Sequence, residues 1–473
     1  MAFSSITFLI VFLPIFLLGY TLLPKAFKNP FILFSSIFFY AWGAPLFIFV
    51  ILGTTFLDFF FVKFLAEGKE QRTRKLFLIV SLVMNLGLLA YFKYANFFIE
   101  NVNALLDSAG VQNVAWVKVV LPIGISFYTF ESITYVVDVY RKVHKPLKNF
   151  WDYQLYIILF PKLIAGPIIR YNLLADQITN REDTIDDKLV GFVRFSIGLA
   201  KKMLIANVLG EQADEIMKIP MLELSSFVAW IGIIAYSFQI YFDFSGYSDM
   251  AIGLARMMGF RFPENFDNPY TSRSITEFWR RWHISLGQWM KNYLYIPLGG
   301  NRVKSPYRLY LNLWLVFLLS GLWHGASWNF IIWGAIHGLF LILDRLFLGK
   351  VLDSIGKIPS MLFTFVVVAV AWVFFRIEKF GDAVAYVKKL FSFQGDIHFE
   401  WNTQFVFISC LAIFFSFMYA FKVFKPLQYF FFDGSSYSTK KSLGIVCISM
   451  LLFTLSLSAL TSDGFNPFIY FRF

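Results

Sequence analysis

EFWRRWHISLGQWMKNYLYIPLGGNR, residues 277–302, and SGLWHG, residues 320–325, form the stretch around which this chain is organised. Together they hold two of its five histidines, His283 and His324. The first part predicts one helix with marked ends: Ser274 and Glu277 make an S-x-x-E capping pattern, and Pro297, Gly299 and Gly300 stop it. Phe278, Trp282, Leu286, Trp289 and Tyr293 recur every three or four residues, while Arg280, Arg281, Gln288, Lys291 and Asn292 fill much of the opposite side. That pattern reads as an interfacial helix, with aromatic rings at headgroup depth and guanidiniums reaching water or phosphates. His324 is placed differently, inside an almost uncharged run from Leu309 to Leu343. An ionisable ring enclosed by lipid or protein is a functional candidate by default.

Composition sets the class. With 473 residues, 58% hydrophobic, 21% aromatic and only 15% charged, the chain has more apolar surface than one soluble core can hide. Its mean hydropathy of +0.63 agrees, and an all-α, polytopic integral membrane protein is expected. The net charge of +12 comes from basic residues clustered in connecting loops, which report topology and anionic lipid headgroups rather than nucleic acid. Cys410 and Cys447 lie in apolar segments without C-x-x-C spacing, so both are expected to be buried packing residues and no metal site is predicted.

No positive charge precedes the first apolar run, and Lys25 and Lys28 follow it, so a retained span with its N-terminus outside the cytoplasm is expected rather than a signal peptide. Further spans are predicted near 31–51, 53–66, 76–94, 117–139, 189–208, 224–244, 308–325, 327–347, 359–376, 404–423 and 442–460. Counting short, broken or re-entrant pieces, eleven to thirteen membrane segments fit. The basic clusters at 69–75 and 141–148 fall on the same side as Lys25. The stretch 376–400 is placed outside the membrane core, and REDTIDDK at 181–188 reads as a solvated connection.

Several spans are interrupted. Pro122, Gly124 and Glu131 make the 117–139 segment unlike a lipid-facing helix, and such breaks are tolerated where protein or a cavity satisfies the backbone. Glu131 is open to two readings, a cavity residue or a structural carboxylate with a partner. FPKLIAGPIIRY at 160–171 is either a broken segment or a helix end from which Lys162 and Arg170 snorkel. Asp243 and Asp249, six residues apart, sit roughly 120° from a common helical face with the helix-breaking Gly246 between them, which favours structural hydrogen bonding over paired acid–base work.

Among the remaining histidines, His144 and His398 fall in charged loops and are expected to be solvated. His337 sits in GAIHG, where small-xxx-small spacing favours helix packing alone. His324, flanked by Trp323, Gly321, Gly325 and Trp328, can take a proton from a hydroxyl at neutral pH, so catalysis and simple burial are both open. G-x-S-x-G, the P-loop pattern and H-E-x-x-H are absent from the sequence. On the residues alone, a group transferase working in the bilayer and a transporter with a proton-carrying histidine remain.

The stretch 277–302 followed by SGLWHGASWNFIIWG at 320–334 strongly resembles the membrane-bound O-acyltransferase family, in its bacterial branch for O-acetylation of alginate and related polysaccharides. The likeness extends to the opening MAFSSITFLIVFLPIF, to LPIGISFYTFESITYVVDVYR at 121–141, to FPKLIAGPIIR at 160–170 and to YFDFSGYSDMAIGLARMMGF at 241–260. It implies one transmembrane domain over 1–473: N-terminal spans in 1–150, the core with the histidine motifs in 151–345, and C-terminal spans in 346–473. It further implies that His324 is the catalytic residue and that His283 lies near the reaction tunnel, bonding a carbonyl oxygen or orienting the donor. The implied donor is a cytoplasmic thioester, acetyl-CoA, approaching beside Arg280, Arg281, Lys291 and Arg302, with no bound cofactor. A bacterial inner-membrane location and a separate extracytoplasmic partner of the esterase-like SGNH type complete the expectation. D-alanyl transfer to teichoic acid from a carrier protein is the alternative within the family, and a proton-coupled polysaccharide or lipid exporter is the alternative outside it.

Overall fold

The computed structural model describes residues 1–395, 399–424, 426–427, 439–463 and 466–469, and all regular secondary structure among them is helical. Among the described residues, seven helices are long and apolar enough to cross a membrane: within Phe47–Glu67, Gln71–Ser108, Ser226–Met257, Trp328–Ile355, Lys357–Arg376, Thr403–Ala420 and Leu443–Ser462, with Thr7–Leu22 a shorter apolar helix. The protein is thus a multi-pass membrane protein, and the larger expected total rests on counting short and broken segments.

The chain divides into two compact units. The first is built from residues Thr7–Glu182. Its helices are α1 (Leu13–Leu22), α2 (Lys25–Gly43), α3 (Phe47–Glu67), α4 (Gln71–Ser108), α5 (Ile125–Tyr140), α6 (Phe150–Ile158), α7 (Phe160–Leu163) and α8 (Tyr171–Thr179). Helix α4 runs 38 residues, well past the predicted end at Tyr94. The span predicted to start at Val117 begins only at Ile125, because Gly124 caps α5 in the left-handed region at φ 78° and Pro122 precedes it. Lys162 does not snorkel: it is buried in the four-residue α7 and ion-paired to the buried Glu131, with its ammonium 4.8 Å from the centre of the Tyr156 ring. Of the two readings offered for each residue, the structural carboxylate and the broken segment are the ones seen. In α3 the buried Asp58 accepts from Ser81 and, at 2.7 Å, from Asn85 of α4, so a polar cluster joins these two spans.

The second unit holds residues Asp183–His324 and the chain from Trp328 onward. It comprises α9 (Ile185–Ala200), α10 (Asn207–Met217), α11 (Ser226–Met257), α12 (Ile275–Arg281), α13 (Ile284–Trp289), α14 (Pro306–His324), α15 (Trp328–Leu343), α16 (Gly349–Ile355), α17 (Lys357–Arg376), α18 (Phe380–Leu390), α19 (Thr403–Phe417) and α20 (Thr439–Asp463). The acidic connection at 181–188 contains the start of α9: Thr184 accepts from the Asp187 backbone N–H at 3.1 Å, and the Asp187 carboxylate returns the bond and pairs with Arg261 at 2.6 Å.

Gly246 does not break α11, which is continuous for 32 residues. It instead permits close approach of α9, since a Cβ at Gly246 would lie 2.7 Å from the Gly198 carbonyl oxygen. Each neighbouring carboxylate is committed to a cation, Asp243 to Lys202 at 2.9 Å and Asp249 to Arg194 at 2.8 Å and Lys201 at 2.7 Å. Buried charges need such partners, because an uncompensated one costs several kcal/mol.

Three further expectations are corrected. The helix predicted from Ser274 breaks between α12 and α13, where His283 adopts φ 46°, ψ 53°. The loop at 265–267 captures the backbone at that break: Asp267 N–H donates to the Arg281 carbonyl and Ile284 N–H to the Asn265 carbonyl, each at 2.9 Å. The aromatic stripe does not face lipid either, because Phe278, Trp282, Leu286 and Trp289 are buried in protein and Trp282 packs among Tyr241, Phe244, Phe266 and Trp372. Cys410 and Cys447 are exposed on their helices rather than buried.

Candidate active site

His324 ends α14, which pairs closely with α15. The glycines set the spacing: a Cβ at Gly321 would fall 2.2 Å from the Phe330 carbonyl oxygen, and one at Gly334 would fall 2.3 Å from that of Phe317. The hairpin brings Trp333 of α15 against His324, with ring centres 5.1 Å apart, and Phe375 of α17 adds a second wall at 5.3 Å. The imidazole is 5% exposed and meets both rings edge to face.

His283 comes to the same place from the break between α12 and α13, its ring centre 6.4 Å from that of His324 and 4.8 Å from Phe244. The two histidines, 41 positions apart in sequence, are thus neighbours. Asn265 fixes the tautomer of His283. Its side-chain oxygen accepts from the Ser285 backbone N–H at 3.1 Å and the Ser285 hydroxyl at 2.8 Å, and lies 3.2 Å from His283 Nδ1. An oxygen already taking a backbone N–H is an acceptor, so Nδ1 carries the proton toward it and Nε2 presents a bare lone pair. Burial pushes the His283 pKa down to about 3, so the ring is neutral at physiological pH. Among the described residues its Nε2 is buried without a hydrogen-bond partner, as is the Asn265 Nδ2 amide.

His337 is fully buried one turn beyond Trp333 on α15, with ring centres 4.9 Å apart. Its Nδ1 accepts from the indole Nε1–H of Trp279 at 3.2 Å. His144 accompanies Asp176 in the first unit at 3.1 Å rather than standing alone in solvent, and His398 lies outside the described residues. Arg280, Lys291 and Arg302 are exposed, whereas Arg281 is held by Glu277 at 2.8 Å. Among the described residues, no group of three His, Cys, Asp or Glu side chains is placed to hold a metal.

Unpaired polar atoms in a core cost about 1–3 kcal/mol each. Here His283 Nε2, Asn265 Nδ2, Trp333 Nε1 and His337 Nε2 carry that cost within one cluster of rings. Together with a second imidazole, such groups can take up, hold and return a proton and can bond a substrate's oxygen or nitrogen atoms. Sequence reasoning singled out His324 and His283 but missed Asn265, Trp333 and Phe375. An asparagine in the loop FPENFDNP and aromatics in apolar spans carry no periodic signal that separates them from ordinary core residues.

The sequence profile of the membrane-bound O-acyltransferase family matches residues 71–354. The chain is 41% identical to the probable alginate O-acetylase of Pseudomonas putida, over the whole of both chains. It is 36% identical to the peptidoglycan O-acetyltransferase of Helicobacter pylori, over 83% of this chain and 80% of the relative. The teichoic acid D-alanyltransferase of Streptococcus thermophilus is 28% identical over 48% of this chain and 58% of its own length.

Proposed function

Since the chain belongs to the membrane-bound O-acyltransferase family, we propose that this O-acetyltransferase takes an acetyl group from a cytoplasmic thioester, acetyl-CoA. It passes the group across the bacterial inner membrane for O-acetylation of an extracytoplasmic polysaccharide such as alginate. The relatives that match most of the chain are named for O-acetyl transfer, which favours this branch over D-alanyl transfer. The observation that carries the mechanism is the adjacency of the two imidazoles, 6.4 Å between ring centres, inside an aromatic enclosure.

His324 acts as general base. It takes the proton of an acceptor hydroxyl as that oxygen bonds to the thioester carbonyl carbon, and it returns the proton to sulfur as the carbon–sulfur bond breaks. With its proton held on Nδ1 by Asn265, neutral His283 has only a lone pair to offer at Nε2. It therefore orients the donor or acceptor through an N–H or O–H of the substrate, and donation to the carbonyl oxygen falls to another group. The exposed Arg280, Lys291 and Arg302 suit the phosphates of the donor. A separate SGNH-type protein completes transfer to the glycan.

The test uses membranes carrying the protein, radiolabelled acetyl-CoA and an extract of the cell's polysaccharides, with free CoA and glycan-bound label both counted. Acetyl transfer predicts both products, and CoA release alone marks a missing extracytoplasmic partner. Turnover only with a carrier-protein thioester would move the chain to the D-alanyl branch. Glycan movement without thioester consumption would make it an exporter.

A further inference from the structure

Building on the acyltransferase reading, we infer that His337 is a substrate-contacting residue whose Nε2–H donates a hydrogen bond to the carbonyl oxygen of the bound thioester. The indole N–H of Trp279 can only donate, so the 3.2 Å contact to His337 Nδ1 requires that nitrogen to be unprotonated. The proton of the ring is then on Nε2, which is fully buried and has no hydrogen-bond partner among the described residues. A side chain kept only for packing needs no such group, since a carbon ring or branched chain fills the space without a buried unpaired N–H.

His283 and His337 are therefore held in opposite tautomers by neighbours that leave no choice. Asn265, already accepting a backbone N–H, makes His283 present a lone pair, and Trp279 makes His337 present a proton. Trp333 connects His337 to the candidate base, its ring centre 4.9 Å from His337 and 5.1 Å from His324. Its own Nε1–H is buried and unpaired, one helical turn before His337 on α15. Attack on a thioester builds negative charge on the carbonyl oxygen, and preorganised N–H donors in a site closed to water stabilise that charge most effectively. His283 cannot serve there, because its proton is spent on Asn265. The step remains balanced: the carbonyl oxygen gains charge while the acceptor oxygen bonds to carbon, His324 holds the proton, and the charge returns to carbon–oxygen double bonding as sulfur leaves.

Two substitutions separate this role from a structural one. His337→Asn places an amide oxygen near the Nδ1 position, keeping the bond from Trp279 but removing the group at Nε2. His337→Gln places an amide N–H near the Nε2 position and gives up the Trp279 bond. A contact donor predicts that the Asn variant loses about 100-fold or more in kcat for acetyl-CoA with KM within a few-fold, while the Gln variant keeps most of its turnover. A structural role predicts the reverse order, and that order, or equal loss in both, overturns the assignment. Binding of S-ethyl-CoA, which lacks the carbonyl, and of S-acetonyl-CoA, which keeps a ketone but cannot transfer it, provides a second readout independent of turnover. Wild type should prefer the ketone and His337→Asn should bind both equally; an undiminished preference also overturns the assignment. Wild-type membranes that consume no acetyl-CoA and show no such preference would remove the acyltransferase reading itself, and the inference with it.

Discussion

Asn265 holds His283 by Nδ1 at 3.2 Å and so decides which nitrogen of that imidazole faces the aromatic enclosure of the site. The same oxygen accepts from the Ser285 backbone and hydroxyl, so one amide organises the break between α12 and α13 as well. Asn265→Ala strands three buried donors at about 1–3 kcal/mol each before relaxation. A clear drop in thermal midpoint in detergent is expected, with at least a tenfold loss of acetyl transfer. Asn265→Asp keeps an acceptor oxygen and should recover much of the stability. An alanine variant as stable and active as wild type would contradict this account.

Acid should weaken the fold through His283. Its folded pKa is pushed down to about 3 by burial, against an unfolded value near 6.5, so the unfolded chain binds more protons in that interval. Stability contributed by the neutral ring is fully present above about pH 6.5 and is lost as pH falls toward 3, by up to about 1.4 kcal/mol per pH unit. His283→Asn keeps a residue that tolerates the left-handed backbone and removes the titration. Between pH 7 and 5 its midpoint should fall less steeply than that of wild type, and parallel slopes would count against the assignment.

The hairpin of α14 and α15 leaves no room for a methyl group at Gly334. Gly334→Ala puts Cβ 2.3 Å from the Phe317 carbonyl oxygen, a backbone atom that cannot swing aside. A loss of about 1–3 kcal/mol and reduced turnover are expected as α15, with Trp333, shifts from His324. Gly87→Ala on α4 meets nothing within 4 Å and serves as the control, expected to be neutral or slightly stabilising. Thermal unfolding of both variants checks the contrast.

Glu131 and Lys162 form a buried pair whose removal from one side leaves a bare charge. Glu131→Gln alone should cost about 3–5 kcal/mol and lower the yield of folded protein. The double variant Glu131→Leu with Lys162→Met should regain most of that loss and retain acetyl transfer, because the pair acts in structure. A well-folded double variant without activity would instead give Glu131 a part in the chemistry.

Much of this was legible from residue types and spacing. Apolar run length marked the seven long apolar helices, glycine and proline marked the breaks near Gly124 and Gly166, and an imidazole in an uncharged run singled out His324 as a candidate. What failed depends on tertiary contact. The periodic stripe from Phe278 to Tyr293 fits one amphipathic helix, and only the loop at 265–267 claiming the backbone at Arg281 and Ile284 breaks it at His283. Lys162 looked free to snorkel because its partner lies 31 residues earlier in the sequence. The tautomer of His337 was not legible at all, because the donor that fixes it, Trp279, is 58 residues away.

Whether His324 takes the acceptor's proton is read out in purified protein reconstituted in lipid with radiolabelled acetyl-CoA, the proposed extracytoplasmic partner and glycan. Rates are compared for wild type, His324→Ala and His324→Gln, with thermal unfolding confirming that each variant is folded. The account predicts that both substitutions lower acetyl transfer by about 100- to 10,000-fold, while S-ethyl-CoA still binds. Full acetyl transfer by folded His324→Ala would contradict it.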